Sequence, residues 1–483
     1  MNLAAMQGLL PLLVLGLGAA VLMLQISIRR QLGWSYAITV ATLLLGAAAM
    51  EPAMQVAPLQ VTPLLRVDNL GLFFGSLFCL SGAVTAVISR DYLRSREGEN
   101  EEYFLLLLLS TLGAVILAYS THVAALLLGL ELLSVALYAL IAYPERGTLP
   151  LEAAIKYLVL SGAASATLLF GFALIYAALG SLEYAEIAVQ ISAGRAATSP
   201  ALILMGAAMV FAGLGFKLSV VPFHMWTPDV YEGAPAPISG FLAGVSKGAV
   251  FIAVLRWFLE SGFFQYSSLL AGITLLSIAS ILVGNLLALL QTNVKRILAY
   301  SSIAHLGYLL IVLVAAGVSP EPGLAVEAGG YYVVAYVITT LAAFSLLGLI
   351  SRQSGDREYD QLSDLAGLFW KQPGLAALFT VALLSLAGIP LTAGFIGKFY
   401  LISAGVDAAL WGLLAALVIG SAIGIFYYLR IIYTMTTVGE QANPGTTADM
   451  LVGSRLVVYL LIFAMLYLGI VPEPLMGYLR TIL

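Results

Sequence analysis

Charge is the scarcest thing in this sequence: only 10% of its 483 residues are Asp, Glu, Lys or Arg, against 61% that are hydrophobic. A soluble globular chain carries roughly 25% charged residues, so composition alone excludes that class. Cysteine is scarcer still. The single Cys79 cannot close an intrachain disulfide, hold an iron–sulfur cluster or build a thiolate zinc site. Three histidines, His122, His224 and His305, make no metal-ligand spacing. No glycine-rich phosphate loop follows a strand and no Walker sequence is present, so no nucleotide is expected. A net charge of −4 argues against a nucleic-acid partner. The first apolar run, near 5–27, lacks a basic flank before it and is followed by Arg29 and Arg30. It reads as a retained span, not a cleaved signal.

Long apolar runs are what the chain has instead. Each is long enough to cross a hydrocarbon core of about 30 Å as a helix. Fourteen are expected: 5–27, 33–51, 68–90, 103–120, 122–143, 154–179, 200–223, 236–259, 266–291, 297–317, 325–352, 373–403, 407–437 and 452–472. The fold class is an all-α polytopic membrane protein. Eighteen basic residues lie outside span interiors. Fourteen hold or border the side of the 91–102 and 353–372 loops, and four the side of the termini. Basic loops stay cytoplasmic, so both termini face away from the cytoplasm.

Two spans carry breaks. The seventh has Pro222 five residues after Lys217; the twelfth has Pro390 eight residues before Lys398, among Gly388, Gly394 and Gly397. Proline removes a backbone donor and clashes with the carbonyl four residues earlier. In a membrane such breaks survive only where protein or water satisfies the freed groups. The broken spans are five apart and therefore run in opposite directions, the pattern of an inverted repeat in which spans 4–8 are answered by 9–13. The expected division is 1–100 (three spans), 101–262 (first repeat), 263–438 (second repeat) and 439–483 (last span).

Ionisable residues inside spans are costly and read as functional. Glu131 is the one carboxylate deep in an apolar span, with Ser134 and Tyr138 on its helical face. Lys217 is the lone ionisable residue between Ala201 and Phe223. Lys247 lies beside a Gly240–Gly244–Gly248 ridge that admits a close helix neighbour, Lys398 follows the second break, and Ser301, His305 and Tyr308 form a further polar stripe. Lys156, near a span start, reads equally as a snorkelling side chain and as a relay member. His224 reads equally as an interfacial histidine and as a proton carrier. Lys295 and Arg296 read as topology anchors. Burial disfavours an ammonium and a nearby carboxylate favours it, so a buried lysine near a movable glutamate has a proton affinity that depends on geometry. That chemistry suits proton movement across the midplane, not hydrolysis.

Three stretches carry a resemblance: GLGFKLSVVPFHMWTPDVYEGAPAPISGFLAGVSKGAVF, NVKRILAYSSIAHLGYLL and LLSLAGIPLTAGFIGKFY. They resemble the antiporter-like membrane subunits of respiratory complex I. The resemblance implies a proton-translocating subunit of a bacterial inner-membrane NADH-quinone oxidoreductase, embedded in lipid beside other membrane-arm subunits. It implies no cofactor in this chain, with FMN, iron–sulfur clusters and the quinone site elsewhere. It makes Glu131 the charge partner of Lys217, Lys247 the relay towards the second half, and Lys398 the terminal proton carrier. A subunit of a multisubunit Na⁺/H⁺ antiporter or of a membrane-bound hydrogenase is the alternative with the same fold.

Overall fold

In water-free surroundings a backbone must satisfy its own N–H and C=O groups, and a helix does so within one segment. A computed structural model of the chain, describing residues 3–94, 100–143, 148–195, 199–319, 322–351, 358–437 and 451–482, is accordingly built almost wholly of helices. Arg96, Arg146, Arg352 and Arg357 of the basic asymmetry, and residues 95–99 and 353–357 of the two basic loops, lie outside the described residues.

Among the described residues thirteen helices are long and apolar enough to cross a membrane. They are α1 (Leu10–Ile28), α2 (Leu32–Met54), α3 (Asn69–Arg94), α4 (Glu101–Tyr119), α5 (Val123–Ala142), α6 (Thr148–Leu179), α7a (Pro200–Leu218), α8 (Ala236–Glu260), α9 (Ser267–Leu289), α10 (Val294–Val318), α11 (Gly323–Ser351), α13 (Trp411–Thr436) and α14 (Val452–Ile470). The expected twelfth span is two half-helices, α12a (Pro373–Ala387) and α12b (Ala393–Asp407). A short helix, α7b (Trp226–Gly233), follows α7a.

The expectation of helix alone needs one correction. Residues 59–67 form a hairpin, β1 (Leu59–Thr62) against antiparallel β2 (Leu65–Val67), with Leu59 opposite Val67 and Gln60 opposite Arg66. The segment lies between α2 and α3, where the backbone leaves the apolar runs and two strands can pair.

Burial sorts the helices. The apolar windows of α8 and α10 are wholly buried and that of α11 nearly so, whereas α1, α6, α9 and α14 leave most of theirs on the outside. The central three carry Lys247, Ser301, Ser302, His305, Tyr332 and Tyr336. Close approach is permitted by glycine. A Cβ on Gly240 would stand 2.8 Å from Phe344 Cβ, so the ridge on α8 faces α11. Gly113 meets α5 and Gly284 meets α10 at the same kind of distance, 2.6 Å and 2.8 Å from a backbone nitrogen.

Candidate functional site

Both breaks end a helix in the same way. α7a stops at Ser219 (φ 62°), whose N–H reaches Gly215 and Phe216 carbonyls; Val220 N–H reaches Gly215 O at 2.9 Å. α12a stops at Gly388 (φ 82°), whose N–H reaches Leu384 and Ser385; Ile389 N–H reaches Leu384 O at 3.0 Å. This is the left-handed termination that satisfies the last carbonyls. The non-helical stretches are 219–225 and 388–392. Freed groups find partners from elsewhere: Val221 N–H donates to Ser280 Oγ (2.9 Å), Trp226 Nε1 to Phe216 O (3.0 Å) and Gly394 N–H to Ser385 Oγ (3.2 Å).

Each break presents a buried lysine. Lys217, 5% exposed in the last turn of α7a, donates to Ser134 Oγ (2.8 Å) and Ser161 Oγ (2.7 Å). Tyr138 also donates to Ser161 Oγ, at 2.6 Å. Lys398, in α12b, donates to Ala387 O (2.9 Å) and Leu386 O (3.3 Å), the carbonyls left open at the end of α12a. A cation at a helix C-terminus is stabilised by the helix dipole. Its ammonium also lies 5.4 Å from the Tyr308 ring centre.

Lys247 is fully enclosed at the end of a π-helical turn, Leu242–Ser246. It donates to Ser302 Oγ (2.7 Å), with Tyr231 and Trp226 rings 5.1 and 5.9 Å away. Ser302 Oγ also accepts from Tyr336 OH at 2.7 Å. Tyr336 stacks on His305, whose Nδ1 is 2.6 Å from Tyr332 OH and whose Nε2 is 3.4 Å from Tyr428 OH. Tyr428 OH pairs with Ser301 Oγ, and its ring packs on Tyr427. Tyr427 and Tyr308 share Asn285 at 3.1 and 3.2 Å. Hydroxyls, an imidazole and an amide thus occupy the space between Lys247 and Lys398.

The remaining expected residues fall differently. Glu131 makes no ion pair with Lys217 among the described residues; it accepts from Ser165 Oγ at 2.6 Å. Ser165 and Ser161 are one turn apart on α6, so carboxylate and amine sit on successive rungs of that helix face. His224 is 6% exposed in the first break beside the Tyr300 ring, and among the described residues neither ring nitrogen has a hydrogen-bond partner. Lys156 stands apart from Lys217, bonded to Glu152 (2.7 Å) and Asp229 (2.8 Å). Lys295, expected as a topology anchor, is buried and paired with Glu358 at 2.6 Å. Sequence reasoning missed Ser161, Ser165, Ser302 and Tyr336. The S-x-x-x-S spacing of the first two was the available signal.

Among the described residues no three His, Cys, Asp or Glu side chains gather as a metal site. A family model described as NADH:quinone oxidoreductase/Mrp antiporter, transmembrane, matches residues 120–424. The chain belongs to that family.

It is 49% identical to NADH-quinone oxidoreductase subunit N of Methylococcus capsulatus over 98% of this chain and 94% of the relative. Identity to subunit N of Ectopseudomonas mendocina is 48%, over 97% and 94%. A chain of respiratory complex I from Thermus thermophilus with bound aureothin superposes with a TM-score of 0.81 at 33% identity, covering 97% of this chain and 98% of that one. A chain of the Mrp complex from Dietzia sp. gives 0.82 at 21% identity, covering 100% and 97%, a likeness of fold alone.

Proposed function

We propose that this chain is a proton-translocating membrane-arm subunit of an NADH-quinone oxidoreductase, moving protons along Lys217, Lys247 and Lys398 while quinone is reduced in other subunits. One observation carries the reading. Among the described residues, three lysines buried in the membrane helices donate only to hydroxyls and carbonyls, and proton-bearing side chains fill the space between the second and the third. A lysine whose partners are neutral keeps no fixed counter-charge, so its protonation responds to charge arriving next to it. Glu131 supplies that charge through the Ser165–Ser161 face of α6, and His305 carries protons between Lys247 and Lys398. His224 and Lys156 are members of lower rank, at the break and at the entrance to α7b. FMN and iron–sulfur clusters belong to partner subunits. The chain lies in the bacterial inner membrane with both termini periplasmic.

The test is purification of the intact complex from native membranes, identification of co-purifying subunits, and NADH-driven pumping in proteoliposomes. Iron–sulfur and quinone-site subunits are expected with it. An assembly without redox subunits that exchanges Na⁺ for H⁺ would overturn the reading in favour of an antiporter.

A further inference from the structure

A lysine that anchors topology keeps its ammonium among headgroups and lets its stem run along the apolar surface. Arg296 fits that description: part-exposed, it reaches Asp229 and Glu232, each at 2.8 Å. Lys295, its neighbour, does not. It is 2% exposed and points inward, donating to Glu358 Oε2 (2.6 Å) and Ala234 O (2.8 Å). Glu358 is itself nearly buried. Its other oxygen accepts from the Ala236 N–H that opens α8 (3.2 Å) and from Tyr92 OH.

We propose that Lys295 and Glu358 are a further proton-carrying pair, which loads Lys247 from the face where residues 358–373 lie. The inference rests on the proposed relay. Two features run inward from the pair. On α10, Ser302 follows Lys295 by seven residues, two turns or roughly 10.5 Å deeper on the same face, and Ser302 Oγ is the acceptor of Lys247. On α8, Ser239 is fully buried; its hydroxyl donates to Tyr231 O at 2.9 Å and lies 3.4 Å from the same Ala234 carbonyl that holds Lys295. Ser239 precedes Lys247 by eight residues, a spacing that a regular α-helix would rotate off the face. The π turn at Leu242–Ser246 lies between them and takes up about one extra residue, which returns Lys247 to the side of Ser239.

The step balances in protons alone. Once Lys295 of the ion pair has given up a proton, the Glu358 carboxylate takes one from the aqueous side and hands it to the neutral Lys295 amine, which restores the pair. The ammonium passes a proton inward along the Ser239 and Ser302 hydroxyls, each oxygen taking one proton as it yields its own, to the neutral amine of Lys247. A flexible four-carbon stem with three rotatable donors suits the mobile member of such a pair.

The experiment measures NADH-driven pumping against quinone reduction in the reconstituted complex. Lys295→Arg keeps the charge and the Glu358 pairing but cannot release a proton. Pumping per quinone reduced is expected to fall severalfold, while Arg296→Lys leaves it unchanged. Normal pumping by an assembled Lys295→Arg complex would overturn the proposal and leave the pair as a static clamp. Should that variant fail to assemble, Glu358→Gln decides. It retains acceptors for Tyr92 and Ala236, so a severalfold fall supports the pair and normal pumping overturns it. Lys217→Arg separates the two levels: if it loses pumping and Lys295→Arg does not, only this inference fails. If Lys217→Arg pumps normally, the relay itself fails.

Discussion

At the scale of single residues, the lysines differ in what surrounds them, and the differences set the outcome of substitution. Lys217 sits between two serine hydroxyls. Lys217→Arg preserves its charge without a releasable proton, so a static bridge predicts normal pumping and a relay predicts loss. Loss in an assembled complex is the expected result. Glu131→Gln and Lys217→Met disable one device, so their double variant is expected to be much less than additively impaired. Gly388 is a sharper test of geometry. Its φ of 82° is left-handed, and a Cβ there would stand 2.9 Å from Lys398 Cδ and 3.0 Å from Nζ. Gly388→Ala therefore pays about 1–2 kcal/mol for a left-handed non-glycine residue and also pushes Lys398 off the carbonyls of α12a. A lowered melting temperature together with reduced pumping is expected; melting alone would mean that Lys398 keeps its place. Ser302 was invisible beforehand, and Ser161 showed only in its spacing to Ser165, because serine in an apolar helix bonds its own backbone as readily as a neighbour.

Elements were legible in proportion to how local their causes are. The apolar runs and the two proline–glycine breaks are written in contiguous residues, and the helices end close to where those residues require. The hairpin at 59–67 was not, since strands of four and three residues carry no pattern that stands out from a loop. Nor was the inward turn of Lys295, whose partner lies 63 residues along the chain. The same non-local logic holds the start of α3. Asp68 caps that helix, accepting from Gly71 N–H at 2.9 Å, and takes Arg256 at 2.6 and 2.7 Å. Burial on its own would raise the carboxyl, but the Arg256 guanidinium, the Gly71 bond and Arg66 outweigh it and hold Asp68 at about 2, below its ordinary 3.8. The folded value is depressed, so this stability is complete above the unfolded value and drains away as pH falls from about 4 to about 2, amounting to about 2 kcal/mol. Asp68→Asn leaves the buried Arg256 guanidinium with Glu260 (3.3 Å) as its remaining carboxylate and is expected to cost less than the about 3–5 kcal/mol of a wholly unpaired buried charge. Its melting temperature should lose the acid dependence of the parent across that window; an unchanged acid profile would remove Asp68 as the cause.

Across the whole molecule, equivalent features recur five spans apart. α5 and α10 are both capped from the preceding residue, His122 Nδ1 accepting from Ala124 N–H and Asn293 Oδ1 from Arg296 N–H. Each cap residue pairs in an isolated bridge with the segment after the following helix, Glu183 after α6 and Gln361 after α11. With the matched left-handed ends of α7a and α12a, these parallels support the proposed repeat of spans 4–8 by 9–13. An odd offset makes the two units antiparallel across the membrane, and this has a measurable consequence. On the proposed repeat the connection after α6 opens on the opposite side from the connection after α11, and the proposed orientation puts the second in the cytoplasm. Native Cys79 is buried, so introduced cysteines report alone. Ala193→Cys places a thiol at an exposed position before α7a, and Gly374→Cys places one at the start of α12a where a Cβ meets nothing within 4 Å. In intact cells with the outer membrane permeabilised, a membrane-impermeant maleimide is expected to label position 193 and not 374, and to reach 374 once the inner membrane is opened. Labelling of 374 alone would invert the orientation while sparing the repeat. Labelling of both from one side would break the antiparallel relation, and with it the repeat of spans 4–8 by 9–13.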